Sequence, residues 1–109
     1  MKVLDQSAAL ARVGGDRELL REIAVLFQQE CPEALTNLRD AIASGDAPAA
    51  GRAAHGLKGS ASNFGAAPAV DAAIKIEQLA RDGRIEEAGK LCETLDQALA
   101  TLIAELQQI

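Results

Sequence analysis

From Ile85 onward, apolar side chains stand at Ile85, Ala88, Cys92, Leu95, Leu99, Leu102, Leu106 and Ile109, separated alternately by three and four positions. A strand would repeat every second residue. This alternation keeps one stripe in line along an α-helix, and sustained over 25 positions it is the seam of a helical bundle. A helix with such a stripe must be covered by other helices, so the rest of the chain is read for partners.

The partners are present. Asp5 can cap a short helix to about Val13, closed by Gly14 and Gly15. Asp16 caps a long helix whose apolar positions are Leu19, Leu20, Ile23, Leu26, Phe27, Cys31, Ala34, Leu35, Leu38 and Ile42, ending at Ser44-Gly45. Pro32 lies inside it. The apolar period resumes beyond Pro32, so the proline should kink the helix near Gln28–Pro32 rather than end it. Asp46 caps a third helix with Pro48 in its first turn, where a missing N–H leaves no bond unmade. Its stripe is Ala50, Ala54, Leu57, Ala61 and Phe64, and Gly65 supplies the next turn. Pro68 opens a fourth helix carrying Val70, Ala73, Ile74, Ile76, Leu79 and Ala80, which stops at Asp82-Gly83. Short loops make successive helices antiparallel neighbours. The expectation is an all-α, antiparallel, up-down four-helix bundle with a short extra N-terminal helix across one end, residues 1–109 forming a single domain.

Composition agrees. Of 109 residues, 49% are apolar and two are aromatic, so the core must be aliphatic and alanine-rich, which suits close-packed helices better than a sheet. The net charge is −5 and no basic patch is dense enough to follow a phosphate backbone, which argues against nucleic acid. No apolar run approaches 18 residues and no signal peptide is recognisable, so a cytoplasmic protein with no membrane span is expected. Cys31 and Cys92 lie far apart on apolar stripes and read as reduced core thiols. One histidine and two cysteines without ligand spacing do not make a zinc site.

The residue that stands out is His55, the only histidine, one position off the third helix's stripe. Lys58 and Gly59 lie one turn above it and Gly51 one turn below. Gly51, Gly56 and Gly59 each cost a helix about 1 kcal/mol relative to alanine. Either a neighbouring helix packs closely there, or another molecule approaches the imidazole. Lys58 beside His55 favours the second reading, since a lysine has no place in a core. Gly51-Arg52-Ala53-Ala54-His55-Gly56-Leu57-Lys58 comes near a phosphate-binding loop. It fails because Leu57 separates the second glycine from the lysine and no strand precedes it. No Ser–His–Asp or paired-carboxylate pattern is present.

His55-x-Leu57-Lys58-Gly59-Ser60, continued to Phe64-Gly65-Ala66, resembles the signature of the histidine phosphotransfer (HPt) domains of multistep phosphorelays. Helix order, helix lengths and apolar pattern extend the resemblance over nearly the whole chain. It implies a phosphocarrier without its own ATP site, in which His55 exchanges a phosphoryl group with an aspartate of a response-regulator receiver domain or takes it from a hybrid sensor histidine kinase. It further implies that the partner supplies Mg²⁺, and that a chain without added helices is a monomer. Met1 and the compact length suggest a free-standing protein.

Imidazole chemistry supplies the mechanism. With an unperturbed pKa of about 6.5, a neutral ring nitrogen is available at cell pH. If Nε2 attacks phosphorus, Nδ1 must keep its hydrogen, and that needs an acceptor. Glu77, 22 residues on, can come level with His55 on an antiparallel helix, and the resemblance implies a Gln or Glu in that role; otherwise Glu77 is an ordinary solvated carboxylate. Arg81, one turn beyond Glu77, is placed to face the phosphoryl group, and Lys58 to neutralise part of its charge. Partner docking is expected around Gly51, Gly56, Gly59 and Ser62 with part of the N-terminal helix. Ser62 itself, like Ser60, reads as small packing or surface chemistry. The competing function is a helical adaptor that binds a partner through the same face and is never phosphorylated.

Overall fold

The computed structural model describes residues 3–109; Met1 and Lys2 fall outside that range. Six helical segments follow in order: α1 (Gln6–Arg12), α2 (Arg17–Ala43), α3 (Ala47–Ser62), α4 (Ala67–Arg81), α5 (Ile85–Lys90) and α6 (Cys92–Leu106). No strand occurs among the described residues. Each predicted cap is made. The side chains of Asp5, Asp16 and Asp46 accept hydrogen bonds from the amides of Ala8, Leu19 and Ala49 at 3.0, 3.1 and 3.1 Å, satisfying amides that an α-helix leaves unpaired at its start. α2 runs unbroken through Pro32, and its 27 residues set the long dimension of the molecule, 41 Å.

α3 packs between α2 and α4, and α4 also packs on α5 and α6. The turns that reverse the chain each place a glycine at positive φ: Gly45 at 71°, Gly65 at 60° and Gly83 at 75°. Gly65 is doubly constrained, because a Cβ there would stand 2.7 Å from the Cβ of Asp5. That crowding follows from the N-terminal segment crossing the bundle end: Asp5 donates its amide to the Phe64 carbonyl at 3.0 Å, and the Glu105 carboxylate on α6 accepts the amides of Val3 and Leu4.

The core is aliphatic, as the composition requires. Leu38, Ile76, Leu95, Leu99 and Leu102 are fully buried, and the two aromatic rings, Phe27 and Phe64, meet edge to face at 5.2 Å. Alanines line the α3–α4 contact: Ala50, Ala54 and Ala61 from α3, Ala69, Ala73 and Ala80 from α4. Such short side chains let two helix axes approach closely, which later decides what α4 can reach on α3.

Two readings of the sequence need correction. The last helix is not one uninterrupted run: it breaks at Leu91, which keeps right-handed helical φ and ψ but bonds back to Ala88, three residues away. The apolar seam passes through the break in register, with Ala88, Leu95, Leu99, Leu102 and Leu106 all buried. Gly89 marks the place, since a Cβ there would press to 3.2 Å from a methyl of Ile42 on α2. Second, Leu19 and Leu26 belong to the apolar period of α2 but are exposed, because the N-terminal half of that helix is covered on only one flank.

Candidate functional site

The site is built across α3 and α4. His55 projects from the middle of α3 with 61% of its side chain exposed. Facing it from α4 is Glu77, which sits between Ala73, Ile76 and Ala80 on the buried face of its helix and is itself only 7% exposed at the side chain. The carboxylate is therefore not a solvated surface group. It lies at the boundary between core and groove, within reach of α3 because alanine and glycine separate the two helices.

Glu77 gathers three donors. Its Oε2 stands 3.0 Å from Nδ1 of His55 and 2.7 Å from Nη2 of Arg81, one turn further along α4. Its Oε1 stands 3.3 Å from Nζ of Lys58. Burial pushes the Glu77 carboxyl up. The hydrogen bond from Lys58, the charges of Arg81 and Lys58, and the hydrogen bond from His55 together outweigh it and hold Glu77 below the usual glutamate range. An ionised carboxylate only accepts, so Nδ1 must be the donating nitrogen. A neutral His55 then carries its hydrogen on Nδ1 and leaves Nε2 as a free lone pair on an exposed ring.

The glycines divide. A Cβ added at Gly56 or Gly59 meets nothing within 4 Å, so both lie bare beside the imidazole. Gly51 does not: it is buried, and a Cβ there would contact the Cβ of Ala80 at 3.9 Å. It belongs to the close α3–α4 packing rather than to an open surface. Ser62 is half-buried and donates its hydroxyl to the Lys58 carbonyl at 2.7 Å, one turn back. Arg81 reaches Glu77 rather than pointing freely toward the ring's exposed edge. One residue escaped the sequence reading: Arg52, three positions before His55, lines with it, Glu77 and Arg81 an open groove of ≈ 630 Å³ floored by Gly51 and Ala80. The i, i+3 spacing to His55 was the available signal.

Elsewhere the charged residues behave as a solvated face. Asp71, Lys75, Glu86, Glu87 and Glu93 are exposed, and Arg84 pairs with Glu87 three residues on. Both cysteines are free, and burial raises the thiols of Cys31 and Cys92, the latter opposed by the charge of Arg39. Among the described residues no helix is long and apolar enough to cross a membrane.

A lone exposed histidine, held by a buried carboxylate and flanked by a lysine and bare backbone on a four-helix bundle, is the arrangement that the family comparison addresses. The Hpt domain model matches residues 22–108. The chain belongs to the Hpt domain family. This Hpt domain is similar over 97% of its length to histidine-containing phosphotransfer protein B (HptB) from Pseudomonas aeruginosa PAO1, whose crystal structure it matches with a TM-score of 0.89 and 26% sequence identity, covering 92% of that chain. Comparison with curated protein sequences returns no match. Hpt domains are phosphotransfer carriers rather than kinases and work with receiver and kinase domains. This one is a histidine phosphocarrier of phosphorelay signalling.

Proposed function

We propose that His55 is the phosphoacceptor and that Nε2 takes the phosphoryl group from an aspartyl phosphate of a response-regulator receiver domain, or from a hybrid sensor kinase, and returns it to a receiver aspartate. The observation that carries this reading is the 3.0 Å contact between Nδ1 and Glu77 in a chain with one histidine. In the forward step the Nε2–P bond forms as the acyl O–P bond breaks, and the aspartate leaves as a carboxylate. Nδ1 keeps its hydrogen throughout, so the phosphorylated ring is formally cationic. Glu77, ionised and bonded to that N–H, stabilises it. Lys58 swings its flexible stem from Glu77 toward the phosphoryl oxygens, a charge-assisted contact.

In-line transfer of this kind asks chiefly for positioning and charge stabilisation. That demand fits a small cluster of side chains with no nucleotide site of its own. Mg²⁺ belongs, in this reading, with the receiver's aspartate. The receiver docks over His55, Gly56 and Gly59, where bare backbone allows close approach. The carrier works as a monomer in the cytoplasm. Support for the first is the small exposed apolar set, Leu19, Val25 and Leu26 among the described residues, and for the second the two unpaired thiols.

The deciding experiment incubates the domain with a phosphorylated receiver and maps acid-labile phosphate. Label on His55, absent from His55→Gln, is the expected result. A His55→Gln domain that still signals would favour an adaptor instead.

A further inference from the structure

Arg81 and His55 share one atom, Oε2 of Glu77, at 2.7 and 3.0 Å. An unpaired carboxylate beside an imidazole does two things. It orients the ring, and it also favours the imidazolium, whose Nε2 carries a hydrogen and cannot attack phosphorus. A phosphoacceptor needs the first effect without the second.

We propose that Arg81 is a positioning residue acting through Glu77: its guanidinium draws charge from the oxygen that holds Nδ1–H, so that His55 stays oriented yet neutral, with the Nε2 lone pair open. The inference rests on the phosphoacceptor reading of His55. Lys58 acts on the other oxygen, Oε1. The titratable and charged groups that contact Glu77 are His55 and Lys58 from α3 and Arg81 from α4; Arg52 of α3 lines the same groove, and among the described residues no charged side chain of another element does. Arg81 therefore supplies the positive charge nearest Oε2, and the i, i+4 spacing on α4 holds it there. Its side chain is 71% exposed, so water screens the pair and limits its effect.

The test compares wild type, Arg81→Ala and Arg81→Lys in two measurements. The first is the pH–rate profile of His55 phosphorylation by phosphoramidate, a small donor that requires no docking surface. The second is the ¹⁵N spectrum of the His55 ring across pH, which distinguishes imidazolium from the Nδ1–H tautomer without any phosphorylation. Arg81→Ala should accept phosphate up to about twofold more slowly at pH 7, the reach of an exposed ion pair acting on a mostly neutral ring, match wild type at pH 9, and show a larger imidazolium fraction at pH 7. Arg81→Lys should restore both. A rate loss equal at all pH values would overturn the proposal, because Arg81 would then touch the phosphoryl group itself. An imidazolium fraction unchanged by Arg81→Ala would overturn it as well. If no variant takes label on His55, the phosphoacceptor reading fails, and the ¹⁵N arm still decides what Arg81 does to the ring.

Discussion

Nδ1 of His55 and Oε2 of Glu77 lie 3.0 Å apart across the α3–α4 contact, 22 residues from each other in the chain. The pairing depends on alanines and Gly51 keeping the two helices close, so packing and chemistry are coupled there. Glu77→Ala should therefore slow phosphoryl acceptance about tenfold, the factor that ~1.4 kcal/mol from one lost hydrogen bond to a charged group gives. The ¹⁵N spectrum should show the Nδ1–H tautomer depopulated. A spectrum identical to wild type would remove Glu77 from the site.

Lys58 makes its contact with the same carboxylate from one turn above His55. It is half-buried and pairs with Glu77 at the rim of the core, so Lys58→Ala should leave the domain folded, at a cost of about 1 kcal/mol in stability. Transfer from a phosphorylated receiver should fall about tenfold through loss of a charge-assisted contact to the phosphoryl group. Stopped-flow transfer and a melting curve on the same sample test both halves. A normal rate would mean that Lys58 serves only to hold Glu77.

Gly56 and Gly59 separate folding from docking. Each lies mid-helix with empty space where a Cβ would go. Gly56→Ala should raise stability by about 1 kcal/mol, a gain of roughly 4–8 °C in Tm at this chain size. Gly59→Glu should fold equally well yet block the receiver by bulk and charge. Phosphorylation by phosphoramidate should survive in Gly59→Glu while receiver-dependent transfer is lost. Unimpaired transfer from the receiver would show that the partner docks elsewhere.

Stability should depend on pH through Glu77 in a definite direction. Its folded-state carboxyl is held below the ordinary value. Between the folded and unfolded values the native state binds fewer protons, so stability rises with pH there. The contribution is complete above the unfolded glutamate value of about 4.3 and is lost as pH falls below it toward the folded value. The separation between the melting curves of wild type and Glu77→Gln should change as pH falls below about pH 4. A separation constant down to pH 3 would contradict the lowered carboxyl.

Much of the fold was legible because it is written in local signals. Three aspartates at helix starts, glycines at three turns and the 3.6-residue period identify elements without any long-range information, and counting across an antiparallel pair brought Glu77 level with His55. What was not legible depends on neighbours. Whether Glu77 is solvated or buried depends on how closely α3 packs on α4, where Gly51 meets Ala80, and no residue near Glu77 in sequence announces it. Leu19 and Leu26 follow the period of α2, but exposure depends on which helix lies opposite. The break at Leu91 leaves the seam in register, so periodicity does not reveal it. Arg52 and Arg81 were visible as charges; that one shares an oxygen with His55 and the other lines the same groove is a matter of rotamers.

The seam of α6 gives the sharpest test of the scaffold that holds the site in place. Leu95 is fully buried in the bundle interior, one position before Asp96, which pairs with Arg39 of α2. Leu95→Ala removes buried methyl groups where rigid helices on all sides limit collapse, so it should cost about 2–5 kcal/mol. Arg39→Ala removes the exposed partner of a pair whose Asp96 carboxylate is half-buried, and should cost about 1 kcal/mol. The two changes act at neighbouring positions of α6, one directly and one through its ion-pair partner, so denaturant unfolding of both variants separates apolar packing from charge pairing as the force that holds α6 in the bundle. A Leu95→Ala loss no larger than that of Arg39→Ala would contradict the packed seam. A large loss would leave His55 chemically intact below the transition, and the folded fraction of Leu95→Ala should then still accept phosphate at the wild-type rate.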